Sequence, residues 1–145
     1  MRKLMPRFER LDASTLGFPT GDPKITVTVL SPRIVRVELR QIGQNAAPSY
    51  LADREWTPTP FDVVDGDPVR LVTTDLRVEV SRAPLRVAVL DSRDDWLLRE
   101  PADAGMSAEP VADVAGRRGV RASFLFSGVQ HFYGFGHGGA RFRRL

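Results

Sequence analysis

Apolar and polar residues that trade places at every second position restrict this chain more than any motif in it. Only an extended strand with one buried face satisfies such a period. "KITVTVLS" places Ile25, Val27 and Val29 on one side and Thr26 and Thr28 on the other. "RIVRVELR" sets Val35, Val37 and Leu39 against Arg36, Glu38 and Arg40. Ser31-Pro32-Arg33 between them carries turn chemistry, so the two runs are expected to pair as a hairpin. One charged face opposite one apolar face is the pattern of an antiparallel sheet.

The same period recurs downstream. Gln41 to Pro60 has no period and is interrupted by Pro48, Pro58 and Pro60, which reads as a long connection, with Tyr50 and Trp56 expected to pin it to the core. "FDVVDGDPVRLVTT" holds two short strands about Asp65-Gly66, a tight-turn dipeptide. In "VRLVTTDLRVEV" the apolar parity switches between Leu71 and Leu76, which requires a turn or bulge near Thr73–Asp75. "PLRVAVLD" and "DWLLRE" are two further strands about the polar "SRDD". Glu100 to Gly116 reads as a long loop, and "GVRASFLFS" and "VQHFYGFG" as two aromatic-rich closing strands. About nine or ten strands without an amphipathic helix predict an all-β fold, an antiparallel sandwich or barrel.

The 145 residues suit one domain, and 42% hydrophobic with 27% charged residues is a globular rather than a disordered balance. The sequence has no cysteine, hence no disulfide framework and no thiolate site, which suits a reducing cytoplasm. "MRKLMPRFERLD" lacks a signal-peptide core, and no apolar run approaches membrane-helix length, so a cytoplasmic protein without a membrane partner is expected. The net charge of +3 sits at the ends, in Arg2, Lys3, Arg7 and Arg10 and again in Arg141, Arg143 and Arg144. The body between them is net negative, and a duplex binder needs its basic face on the body. No nucleic-acid partner is expected.

Gly134, Gly136 and Gly139 spell G-x-G-x-x-G, but a dinucleotide site needs a following helix and an acid ~20 residues on. Only Ala140 to Leu145 follow, so no dinucleotide cofactor is expected, nor any other. Glycines alternating with Phe135 instead suit a strand approached closely by another backbone, a docking or junction segment. His131 and His137 have no third ligand nearby, so no metal site is expected. Asp65/Asp67 and Asp94/Asp95 read as turn formers rather than as a catalytic carboxylate pair. No catalytic residue is assigned.

"VTVLSPRIVRVELR", "PSYL", "LVTTDLRVEV", "LRVAVLD", "WLLRE" and the closing "HFYGFGHGGARFRRL" follow one another in an order that resembles the N-terminal domain of glycoside hydrolase family 31, the α-glucosidase and α-xylosidase family. The resemblance runs from about Lys24 onward, and its signature part is a tyrosine before Gly-x-Gly, then a glycine and an arginine-rich turn. It implies a β-sandwich of the galactose-mutarotase-like type over residues 24–137, with residues 1–23 an extension or edge strand and 138–145 the start of a linker to a (β/α)8 barrel. Leu145 would then be a truncation point. In the family the barrel carries both catalytic aspartates of a retaining α-glycosidase, which cleaves O-glycosyl bonds. No position here matches them, so the domain itself is expected to be non-catalytic.

The resemblance also implies roles for particular residues. Phe132, Tyr133, Gly134, Phe135, Gly136 and His137 would form the seam with the barrel of the same parent chain; His137 stands where the family has an acid. The loop "REPADAGMSAEPVAD" would reach the substrate pocket, with Glu100, Asp103 and Met106 at its rim, and its Gly105-Met106 resembles a Gly-Met of bacterial members. The expected ligand is an α-glucoside or related carbohydrate. An exposed seam also permits a homo-oligomer. Two alternatives stand beside this reading. One is a stand-alone carbohydrate-binding sandwich using Tyr50, Trp56 or Trp96 as a stacking platform. The other is a small mutarotase-like epimerase using His131 or His137.

Overall fold

The computed structural model describes residues 8–19, 24–40, 55–110 and 118–128. The strands in chain order are β1 (Glu9–Arg10), β2 (Thr15–Phe18), β3 (Lys24–Ser31), β4 (Ile34–Arg40), β5 (Asp62–Val64), β6 (Val69–Val72), β7 (Leu76–Arg82), β8 (Leu85–Asp91), β9 (Trp96–Arg99), β10 (Ser107–Pro110), β11 (Arg118–Arg121) and β12 (Leu125–Phe126). The fold is all-β. Among the described residues no helix is long and apolar enough to cross a membrane.

One sheet has the order β1-β2-β3-β4, a second β12-β9-β8-β7-β6-β5, and β10 and β11 make a two-stranded sheet of their own. Neighbours pair antiparallel throughout. The β3–β4 register sets Ile25 opposite Leu39, Val27 opposite Val37 and Val29 opposite Val35, so the alternation of both strands falls on one face. In the second sheet Leu71 pairs with Val78, and Val78 with Val89. Ile25, Val27 and Val29 of the first sheet and Val69, Leu71, Val78, Val80 and Val87 of the second form one buried cluster, the filling of a sandwich. Burying each such side chain stabilises by about 1.5–3 kcal/mol.

Leu16 and Phe18 belong to the same cluster, so the strands before Lys24 are part of the sandwich. The "TLGF" of β2 offers only two apolar positions about a glycine, too short for a period to register. The Lys24 stem crosses Gly17 to reach Glu9 Oε2 at 3.3 Å, so that a Cβ at Gly17 would lie 2.7 Å from Lys24 Cε and would move the lysine end aside.

Two expectations need correction. The loop foreseen over Glu100–Gly116 contains β10, whose Ser107, Ala108, Glu109 and Pro110 pair with Arg121, Val120, Gly119 and Arg118. "SAEP" is extended because its backbone has a partner, not because its side chains suit a strand. "GVRASFLFS" is also not one strand: β11 pairs with β10, whereas Leu125 and Phe126 pair with Arg99 and Leu98 of β9. Tyr50 and the closing "VQHFYGFG", with Phe132 to His137, lie outside the described residues.

The parity switch at Thr73–Asp75 is a turn that also joins the sheets. The Thr73 hydroxyl donates to Pro32 O in the β3–β4 turn (2.8 Å) and accepts from Asp75 N (3.2 Å) and Leu76 N (2.9 Å). Arg33 Nε adds an ion pair to Asp75 Oδ2 at 2.6 Å. At the β8–β9 turn Asp91 Oδ1 accepts from Arg93 N (2.8 Å) and Asp95 N (3.0 Å), and Asp94 takes the left-handed conformation at φ 68°. Asp94 and Asp95 are thus turn residues.

The Arg93 amide, opposed by desolvation and helped less strongly by the Asp95 amide and the Arg93 guanidinium, holds the Asp91 carboxyl below the usual carboxylate range. A lowered carboxylate contributes stability above its unfolded pKa and loses it as the pH falls through the folded one. Wild type is therefore expected to lose more of its thermal midpoint than Asp91→Asn below about pH 4. Equal losses over that range would show that the turn is not acid-sensitive.

Thr26 faces away from the core between Gly17 and Glu38, is 4% exposed, and its Oγ1 has no hydrogen-bond partner among the described residues. A buried, unpaired hydroxyl costs about 1–3 kcal/mol. Thr26→Val keeps the shape and is expected to raise stability by about 1 kcal/mol, whereas Leu16→Ala is expected to lower it by about 2–5 kcal/mol. Urea denaturation measures both; a destabilised Thr26→Val would mean that the hydroxyl is satisfied in solution.

Candidate functional site

Strand β9 ends where a side chain takes over from the backbone. Glu100 N still donates to Val87 O at 3.0 Å, continuing the β8–β9 pairing by one residue. Val87 N, however, donates to Glu100 Oε2 at 2.7 Å rather than to a main-chain carbonyl. The other oxygen, Oε1, accepts a short hydrogen bond from Met106 N. One carboxylate thus bridges β8 to the residue at which the loop closes. Pro101, which has no N–H to leave unpaired, opens the excursion.

Arg86, the residue before Val87, grips the same loop. Its Nε donates to Pro101 O at 2.8 Å, Nη2 to Ala102 O at 2.9 Å and Nη1 to Leu85 O at 2.6 Å. The rigid guanidinium suits two adjacent carbonyls in a way that a lysine ammonium cannot. Gly105 lies against it: a Cβ there would stand 2.9 Å from Arg86 Cζ and closer still to Nη1. Residues 101–105 are therefore held between a carboxylate on one side and a guanidinium on the other, at the root of the β10–β11 hairpin.

The three rim candidates have different places. Glu100 is 5% exposed with both oxygens given to amides, so it braces the loop from within. Met106 is half-buried and packs against the core cluster. Asp103 is exposed at the middle of the excursion, where it is the carboxylate that the loop presents to solvent. Arg86 carried no signal in the sequence, where it is one polar position of a strand, 15 residues from Pro101.

Beside the brace, on the outer face of the larger sheet, is an open pocket of about 270 Å3 lined by Glu79, Ser81, Arg86, Ala88, Arg99 and Glu100. Glu79 is paired with Arg70 at 2.7 Å. The register shifts between Val89 and Leu90, which pair with Leu98 and Trp96, so Leu97 is an extra residue and Trp96 and Arg99 share a face. The Arg99 guanidinium lies 4.5 Å over the Trp96 ring and covers one side of it. Trp56 is half-buried in the segment before β5. A second pocket of about 300 Å3, lined by Pro60, Phe61, Asp62, Val72, Thr73 and Thr74, is near the turn that joins the sheets. Among the described residues no three His, Asp or Glu side chains are grouped to hold a metal. His131, His137, Tyr50 and the residues from Phe132 to His137 lie outside the described residues.

Residues 24–144 match the family described as the glycosyl hydrolase 31 N-terminal galactose mutarotase-like domain. Among solved structures, a GH31 alpha-xylosidase from Xanthomonas citri is similar at 27% sequence identity and a TM-score of 0.67. The likeness covers 81% of this chain and 13% of that one. No curated protein matches the chain.

Truncating the brace tests the local geometry. Glu100→Ala leaves the Val87 and Met106 amides without their acceptor and is expected to cost roughly 2–4 kcal/mol, the scale of two charge-assisted hydrogen bonds replaced by unpaired donors. Chemical denaturation reads the loss; a change below ~0.5 kcal/mol would mean that water replaces the carboxylate at no cost.

Proposed function

The chain belongs to the glycosyl hydrolase 31 N-terminal galactose mutarotase-like domain family, and on that premise we propose that it is the non-catalytic sandwich that supports the catalytic barrel of an α-glucosidase-like hydrolase. The match over residues 24–144 carries the proposal. The second part of the proposal is that the segment from Pro101 to the β10–β11 hairpin reaches the substrate pocket of the barrel, with Asp103 as its carbohydrate-facing residue. Support comes from the shape of this segment: its root is fixed to β8, the excursion at that root presents the exposed carboxylate of Asp103, and the hairpin beyond it forms a sheet of its own. Glu100 and Met106 serve this role from below, as brace and as core contact.

The residues from Phe132 to His137 are proposed to line the junction with the barrel. Aromatic rings alternating with glycines allow close approach and a large apolar contact. The substrate is proposed to be an α-glucoside, α-xyloside or related sugar; the similar solved structure is that of an alpha-xylosidase. A carboxylate at a pocket rim contributes hydrogen bonds to sugar hydroxyls that are made in ground and transition states alike, which affects KM more than kcat.

The test uses the whole protein as encoded, including whatever follows Leu145. In that protein Asp103→Ala is expected to raise KM for maltose or an aryl α-xyloside about three- to tenfold with kcat within about twofold, the pattern of lost uniform binding. A protein with no barrel after Leu145 would sink the reading as a whole. Unchanged KM on every α-glycoside tried would remove the carbohydrate contact alone.

A further inference from the structure

We infer that Arg86 and Glu100 are positioning residues which together set the place of the arm formed by residues 101–110 and its partner strand β11, and that Gly105 is the residue on which the two grips are matched. The inference rests on the reading of that arm as the substrate-facing part of the domain, and it adds the residues that aim it.

The argument starts from the backbone. A chain that leaves a sheet orphans the amides and carbonyls it would have paired, and orphaned groups let a loop sample many paths. Here several of these groups keep partners. The Val87 amide, next in the ladder, keeps an acceptor in Glu100 Oε2, while Met106 N is drawn back to the other oxygen of the same carboxylate. The first two carbonyls of the excursion, Pro101 O and Ala102 O, are held by the Arg86 fork. Both grips spring from consecutive residues of β8, Arg86 and Val87, so they share a rigid base in the six-stranded sheet.

The excursion is thus tied at its start through Arg86 and at its end through Glu100. Ala104 N also turns back to Pro101 O at 3.4 Å, which keeps the intervening residues short. Gly105 decides whether both ties can hold together. The guanidinium occupies the space a side chain at that position would fill, so any larger residue must displace either Arg86 or the loop. The next residues, Met106 and then β10, start from a fixed point. The two-stranded sheet that follows therefore takes its direction from this root rather than from pairing with either large sheet.

The test is amide hydrogen exchange on the full chain, read residue by residue over 104–109 and over the core strands β3 and β7. Arg86→Lys keeps the charge but cannot bridge both carbonyls, and Glu100→Gln replaces one accepting oxygen by a donor. Each is expected to speed exchange over 104–109 about tenfold or more, while β3 and β7 speed only as far as the loss of global stability read by denaturation accounts for. Leu16→Ala is the control: it destabilises the whole sandwich, and it is expected to leave the fast local exchange over 104–109 unchanged.

Gly105→Ala supplies a second reading should Glu100→Gln fail to fold. It is expected to speed exchange over 104–109 in the wild-type background and to add nothing in an Arg86→Ala background, because the collision partner is gone. Unchanged exchange over 104–109 in Arg86→Lys, or effects of Gly105→Ala and Arg86→Ala that simply multiply, would overturn the inference. The KM test of Asp103→Ala stands apart from these readouts: its failure removes the carbohydrate contact and leaves the exchange result as it is.

Discussion

A β-sheet has two faces, and this chain can dry only one of each, so every strand must keep its apolar side toward the same mid-plane. That constraint governs the two large sheets. Val27 and Val80 are buried because their strands hold register with neighbours that bury the same parity. It also explains where register must be interrupted. At Thr73–Asp75 the chain reverses with an odd offset, and the hydroxyl of Thr73 both closes that turn and reaches the Pro32 carbonyl of the opposite sheet. The two sheets are thus joined by a hydrogen bond at the point where alternation fails.

Alternation was also what the sequence displayed best. The β3–β4 hairpin, the β5–β6 and β6–β7 turns and the β8–β9 pair were all legible, because the strands other than β9 have apolar residues at the spacing of a pleat and each turn carries Pro, Gly or Asp. What escaped was extended structure without that spacing. The apolar side chains that β2 buries are only Leu16 and Phe18, with a glycine between them that the Lys24 side chain crosses. β10 has alanine, glutamate and proline and is a strand through pairing with β11 alone. Partners that lie far along the chain leave no local mark on composition, and no window of residues could have shown them.

The same distinction separates what was legible in the candidate site from what was not. Order along the chain singled out the segment after β9, and with it Glu100, Asp103 and Met106. Their roles depend on Arg86 and Val87, which belong to a different strand. A buried carboxylate and an exposed one look alike in a sequence; here burial separates Glu100, which serves two backbone amides, from Asp103, which faces solvent. The family resemblance singled out the segment, and burial and hydrogen bonding distinguish the residues within it.

On the proposed reading, a sandwich that presents a loop to another domain faces two opposed requirements. The loop has to leave the sheet, yet it cannot be allowed to wander, because a contact made by a wandering loop loses affinity to the entropy of ordering it. Replacing a main-chain partner by a side-chain carboxylate meets both demands: the sheet remains hydrogen-bonded up to Val87, and the chain is free to depart at Pro101. Tying the far end to the same carboxylate then returns it to a defined point at Met106. In such an arrangement Asp103, between the two ties, can vary in chemistry without altering them, and the ties can be rigid without contacting any ligand. On the proposed reading, in which the domain supports a catalytic partner, specificity can therefore be carried by one exposed side chain, provided that the half-buried Arg86 and the buried Glu100 beneath it keep the geometry fixed.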